Sequence, residues 1–211
     1  MTVLIPESIA DIRLEQFQRY DALLKRKDLT GEQFNKRKIE IFTGLDRNSL
    51  NTISQKDYKE IVDLIDVSLE QTSEFKPTFK IKDVEFGFIP NFDKITAGEY
   101  RDLTLYSQDV ADMHKLMAVL FRPIKNKDAF GNYKIVEYNG TGKRADVMKY
   151  MPMNIVNGSL VFFSSLANEL IAFTQRYMEV ERARENKLVS ILKSGGGMRQ
   201  FLNYVKEKFG N

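Results

Sequence analysis

At 211 residues, with 43% hydrophobic and 29% charged residues, the chain suits one domain and can bury a substantial core, which argues against wholesale disorder. It contains no cysteine, which excludes disulfides, thiolate metal sites and cysteine nucleophiles and fits a reducing compartment. The formal charge of +3 is uneven: residues 1–100 carry a net −3 and residues 101–211 a net +6. That asymmetry suits ordinary solvated surface, or a basic face toward nucleic acid or an acidic neighbour.

The N-terminus, MTVLIPESIADIR, lacks the basic head and long apolar run of a secretory signal. Thr2 to Ile5 is short, apolar and β-branched, and reads as an edge strand or docking arm, with Val3, Leu4 and Ile5 as candidate subunit-interface residues. Pro6 opens a helix predicted to run to about Arg26, with Ile9, Ile12, Phe17, Tyr20, Leu23 and Leu24 on one stripe. Thr30 and Gln33 form a capping box before a helix carrying Phe34, Ile39, Ile41 and Phe42, and Gly44 supplies its stop. Ser54 and Asp57 repeat the cap before Tyr58, Ile61, Val62, Ile65 and Leu69. The N-terminal third is therefore expected to be a layer of three helices.

Pro77 ends that regime. Phe79, Ile81, Phe86 and Phe88 alternate with charged or small residues, as half-buried strands do. The stretch from Ile95 to Ile124 follows, and it is the most tightly specified part of the chain. Thr96 and Glu99 have capping-box spacing, Ile95 and Tyr100 stand where a hydrophobic staple would, and a second amphipathic helix stops at Arg122-Pro123. Asp128 to Tyr138 carries a Gly-Asn turn signal before alternating Tyr133, Ile135 and Tyr138. Segments 77–89, 121–124 and 133–138 are read as one small antiparallel sheet.

A short helix follows Gly140-Thr-Gly142 as far as Tyr150, and Pro152 introduces the longest helical pattern, from about Asn154 to Lys193. Its apolar first half is broken by Asn157, Ser164, Ser165, Asn168 and Glu169, which suits a packed helix better than a membrane span. Gly195, Gly196 and Gly197 form a hinge, because three glycines each cost about 1 kcal/mol in a helix interior. Beyond them Met198, Phe201, Leu202, Val205 and Phe209 line a detached tail helix, a second candidate interface, since an isolated helix this short needs a partner surface. The expected architecture is α+β and predominantly helical: a helical layer, a small antiparallel sheet and a long C-terminal helix. Residues 1–194 make a single domain with an arm at 1–5, and 195–211 are hinge and tail.

No motif in this chain specifies chemistry. His114 is the lone histidine, and Asp112 two residues earlier does not share its helical face. Gly140-Thr-Gly-Lys143-Arg144 fails the phosphate-loop pattern twice, with Glu137 in place of the early glycine and Arg144 in place of Ser/Thr. There is no G-x-S-x-G elbow, and Asp63 with Asp66 reads as solvated helix surface. No catalytic residue, metal site or cofactor site is assigned, and a non-enzymatic role is expected. Lys125, Lys127, Lys134, Lys143 and Arg144 are the candidates for a nonspecific DNA-facing surface.

Four segments, FIPNFDKITAGEYRDL at 88–103, MHKLMAVLFRPI at 113–124, GNYKIVEYNG at 131–140 and MPMNIVNGSLVFFSSLANEL at 151–170, resemble structural proteins of crAss-like and related short-tailed bacteriophages. IEIFTGLDRNSL at 39–50 fits the same pattern, so the resemblance covers about four-fifths of the chain. It implies a virion component at the neck and tail barrel, made in the host cytoplasm and assembled as a homo-oligomeric ring of cyclic, commonly twelvefold, symmetry beside other portal and tail proteins. Such a ring lines or supports the DNA channel, and head-to-tail closure needs two complementary patches on each subunit. The alternative within the same resemblance is a tail assembly chaperone that does not remain in the mature virion.

Overall fold

The computed structural model of the chain describes residues 4–165. The expected continuation of the last helix to Lys193, the hinge at Gly195, Gly196 and Gly197, the tail residues Met198, Phe201, Leu202, Val205 and Phe209, and Val3 of the arm all lie outside the described residues.

The expected single helix from Pro6 to Arg26 is instead a 3-10 turn at Ile9–Asp11 followed by α1 at Leu14–Leu24. The interruption has a nonlocal cause. Ile12 and Arg13 are extended because their backbone pairs with a later segment: Met153 N–H donates to the Ile12 carbonyl at 2.8 Å, Leu14 N–H donates to the Met151 carbonyl at 2.9 Å, and Arg13 bridges Pro152. Helix α2 spans Gly31–Thr43 with both halves of the Thr30–Gln33 capping box formed and Gly44 left-handed at φ 73°. A short helix that the periodicity does not reveal, α3 at Arg47–Thr52, starts where Asp46 Oδ1 accepts from Ser49 N–H at 2.8 Å. Helix α4, Gln55–Leu69, begins with Ser54 accepting from Asp57 N–H.

Strands β1 (Thr78–Ile81), β2 (Val84–Phe88), β3 (Phe121–Lys127) and β4 (Tyr133–Ile135) form one antiparallel sheet in sequence order. Between β2 and β3 come α5, Ala97–Tyr106, and α6, Met113–Leu120. Helix α6 ends at Leu120 and β3 begins at the next residue, because the residue before Pro123 is pushed out of helical geometry. Pro123 sits opposite Phe86 within β3, and its carbonyl still accepts from Val136 N–H at 2.9 Å. Helix α7 covers Gly142–Met148, and α8 runs over residues 153–165.

Helix α6 is the centre of the core. Met113, Leu116, Met117, Ala118, Val119 and Leu120 are all buried, as expected of a helix that is apolar nearly all round. It packs against α5, α7, α1 and β3. Phe79, Phe86, Phe88 and Phe121 extend this core along the sheet, with Phe88 and Phe121 edge-to-face at 5.1 Å between ring centres. Two glycines are demanded by close approach. A Cβ on Gly87 would collide with the Tyr133 ring, and one on Gly158 would collide with the backbone carbonyl of Glu74. The described residues are thus α+β and mainly helical, with one small antiparallel sheet, as the sequence indicates. Among them no helix is long and apolar enough to cross a membrane.

Candidate functional site

The largest concentration of buried charge lies where α5 meets the start of β3. Glu99, third residue of α5, is held twice: its Oε2 accepts from Thr96 N–H at 2.6 Å, closing the capping box, and its Oε1 lies 2.6 Å from Arg122 Nη2. The two side chains are 4% and 7% exposed, so this is a desolvated ion pair. Burial pulls the Arg122 guanidinium below its usual pKa; Glu99 opposes that pull and neighbouring Arg144 adds to it. Arg122 Nε is buried without a hydrogen-bond partner.

One turn along α5, Asp102 is also buried. Burial alone would raise its pKa, but the Tyr138 hydroxyl, donating to Oδ2 at 2.5 Å, and Arg101 Nε, donating to Oδ1 at 2.9 Å, bring it below the ordinary carboxylate value. Tyr138 in turn is raised, by burial first and then by its bond to Asp102, so its hydroxyl stays a proton donor. Arg122 and Arg144 each lie over the Tyr138 ring, at 5.7 and 5.9 Å from its centre. Arg144 Nη2 donates to the Gly140 carbonyl.

This cluster is a clamp. Its carboxylates are occupied by named partners, and it ties α5, β3 and the segment after β4 into one body. The sequence reading treats Glu99 only as a cap and Arg122 only as part of a helix stop. The available signal is that Arg122 is the one charge within LMAVLFRPI, a run otherwise too apolar to leave the core.

The remaining expected residues fall in different places. His114 belongs to a contact between α6 and α1: Gln18 Nε2 donates to the carbonyls of Val110 and Ala111, at 2.7 and 2.8 Å, and lies 3.0 Å from His114 Nδ1. Burial lowers the His114 pKa, reinforced by Lys149 and Lys115. Asp66, read as solvated surface, is 46% exposed at its side chain and also receives the buried Lys38 Nζ at 2.7 Å on both oxygens, locking α4 to α2. Of the basic candidates, Lys127 pairs with Glu85 at 2.9 Å and Arg144 belongs to the clamp, while Lys125, Lys134 and Lys143 are exposed. Leu4 of the arm is 83% exposed, whereas Ile5 packs against the core. Among the described residues, no group of three or more His, Asp or Glu is placed to hold a metal ion.

The turn signalled at Gly131-Asn132 is the tip of the β3–β4 hairpin, and what the sequence pattern does not single out there is Phe130, which is 92% exposed. Its signal is an aromatic inside a turn whose other residues, Asp128, Gly131 and Asn132, are ordinary turn formers. Comparison with family models, with curated proteins and with solved structures finds no match to this chain.

Proposed function

We propose that this chain is a structural virion protein that forms an oligomeric ring at the portal–tail junction of a tailed bacteriophage and lines or supports its DNA channel. The observation that carries the reading is how the charged groups of the Ile95–Ile124 body are used. Glu99, Asp102 and Arg122 bind one another's neighbourhood in a buried clamp, so the most specified sequence serves rigidity. The resemblance of residues 39–50 and 88–170 to phage structural proteins supplies the class. Ring closure then requires complementary surfaces outside that body, and exposed apolar residues occur at Leu4 and at the hairpin tip. Of the five basic candidates, Lys125, Lys134 and Lys143 are the ones left for an anionic partner.

Washed virions from the phage that encodes the protein test this reading. Quantitative mass spectrometry should find it at a fixed copy number, matching a ring seen in averaged electron micrographs at the neck or tail. Absence from washed particles, with abundance in infected cells, would replace the ring by the assembly chaperone.

A further inference from the structure

We propose that the β3–β4 hairpin tip is the projecting half of the ring contact, and that it seats Phe130 on the outer face of α4 of a second copy of this chain. The inference rests on the self-assembling reading above and names the two surfaces that meet.

The tip is built to hold its shape without a partner. Asp128 Oδ1 accepts from the N–H groups of Phe130 and Asn132, both at 2.9 Å, and its Oδ2 accepts from Asn132 Nδ2 at 2.8 Å. Asp128 N–H donates to the Asn132 carbonyl at 2.9 Å, Gly131 N–H donates to the Asp128 carbonyl at 3.1 Å, and Gly131 takes φ 86°. These bonds fix the backbone on both sides of Phe130, so little ordering is left to be done when it docks. A rigid aromatic on a preformed turn has the character of an interface anchor. Left in water it forgoes the stabilisation that burying such a side chain contributes.

The receiving surface is identified by charge. Lys125 and Lys134, at the base of the tip, are exposed and have no carboxylate partner among the described residues. Their complement is an acidic surface with an apolar centre. The second half of α4 and its end, residues 60–70, hold Glu60, Asp63, Asp66 and Glu70 and no basic residue; the exposed lysines of α4, Lys56 and Lys59, lie in its first half, a turn or more before Leu64. Of these carboxylates only Asp66 has an ion-pair partner among the described residues, Lys38. On the same outward face Leu64 and Val67, three residues apart and therefore neighbours on the helix surface, are 38% and 58% exposed. An apolar pair flanked by free carboxylates matches an aromatic flanked by free lysines in both respects.

The two patches belong to different elements. Helix α4 is packed on α2, the hairpin extends the sheet beyond β2, and the exposure of Phe130 shows that a chain does not fold its tip onto its own α4. Contact between unlike patches is heterologous, so copies add head to tail, and they close into a ring where the rotation between neighbours permits.

The test is sedimentation velocity on the full chain in about 50 mM and about 500 mM salt, where the Debye length falls from roughly 14 to 4 Å. Wild type should associate, more weakly at high salt. Phe130→Ala should raise the self-association Kd by about 30-fold or more, and so should the pair Leu64→Lys/Val67→Lys. Mixing the two variants should restore a one-to-one dimer and nothing larger, because only one intact tip then meets one intact α4. That mixture also controls for folding, since a misfolded variant would not complement. If wild type associates and Phe130→Ala matches it, the tip is not the contact, while the ring reading stands. A wild-type chain that stays monomeric at every concentration removes both. Two monomeric variants that do not complement overturn the pairing of these patches. Lys125→Glu/Lys134→Glu losing duplex-DNA binding with association unchanged would give the hairpin to DNA and overturn the proposal.

Discussion

Replacing Arg122 by methionine isolates the clamp's central contact. Methionine keeps an unbranched apolar stem in a buried position and removes only the guanidinium. What remains is the Glu99 carboxylate, 4% exposed, with the Thr96 N–H at 2.6 Å as its one other named partner. Removing one partner of a buried ion pair costs about 3–5 kcal/mol, because the stranded charge keeps its desolvation penalty. Loss of the cation–π contact over Tyr138, at 5.7 Å, adds about 0.5–1 kcal/mol, and the surviving cap bond offsets a similar amount. The expected net loss is therefore about 3–5 kcal/mol, or roughly 6–20 °C in melting temperature at about 2–4 °C per kcal/mol for a chain of this size. Urea unfolding followed by circular dichroism should show the midpoint falling at constant slope. The double variant Glu99→Gln/Arg122→Met, in which no charge is stranded and the cap acceptor survives, should recover about 1–2 kcal/mol of that loss. An Arg122→Met protein within about 1 kcal/mol of wild type would refute the reasoning, since it would mean that water reaches and screens the pair.

Three further outcomes are expected. Gly158→Ala drives a Cβ into the backbone carbonyl of Glu74, which cannot rotate away as a side chain could, and should destabilise by about 1–3 kcal/mol or more in the same unfolding assay. Tyr138→Phe removes the hydroxyl that donates to Asp102; because the folded pKa of Asp102 is depressed, its stabilisation is complete above the unfolded value near 3.9 and drains as pH falls through the folded one. The variant should lose about 1.5–3 kcal/mol at neutral pH and show a shallower acid dependence, with part of the loss vanishing as pH falls through the folded pKa of Asp102. His114 also has a depressed folded pKa, so its neutral form contributes stability that is full above about pH 6.5 and is lost as pH falls through the folded value. Melting temperatures measured from pH 8 down to about pH 5 should decline less in His114→Phe than in wild type; identical slopes would show that the histidine does not report on the α1–α6 contact.

Helix caps were the most legible part of this fold. Thr30 with Gln33, Ser54 with Asp57 and Thr96 with Glu99 each depend on residues three apart, and all three start a helix where their spacing says. The sheet was legible because Phe79, Ile81, Phe86 and Phe88 alternate, and because Pro123 forces extended backbone after α6. Features that depend on distant partners were not. The break at Ile12–Arg13 exists because Met151 and Met153 bond to it from far along the chain, and nothing in residues 6–26 announces that. Asp66 is half exposed, as its helix face indicates, but its bond to the buried Lys38 of another helix is written in neither segment. Glu99 and Arg122 were each visible in a local role, and the pair was not, because their meeting is set by the return of α6 toward α5. Phe130 was overlooked for the opposite reason: sequence patterns assume that an aromatic is an inward residue, and a turn gives it no inside.

Helix α6 passes into β3 without a single connecting residue, so the hairpin is rooted directly in the core, with a bulge between Ile124 and Asn126 along its length. Seven strand residues at about 3.3 Å each give an arm of roughly 23 Å between the centre of the core and the tip. A tilt of that root by about 5° would sweep the tip through roughly 2 Å, enough to disengage an aromatic from the seat proposed above. In the proposed ring, conservative repacking around Met113, Leu116 or Met117 should then surface as a fault in how copies align, beside the stability cost that a fully buried site carries.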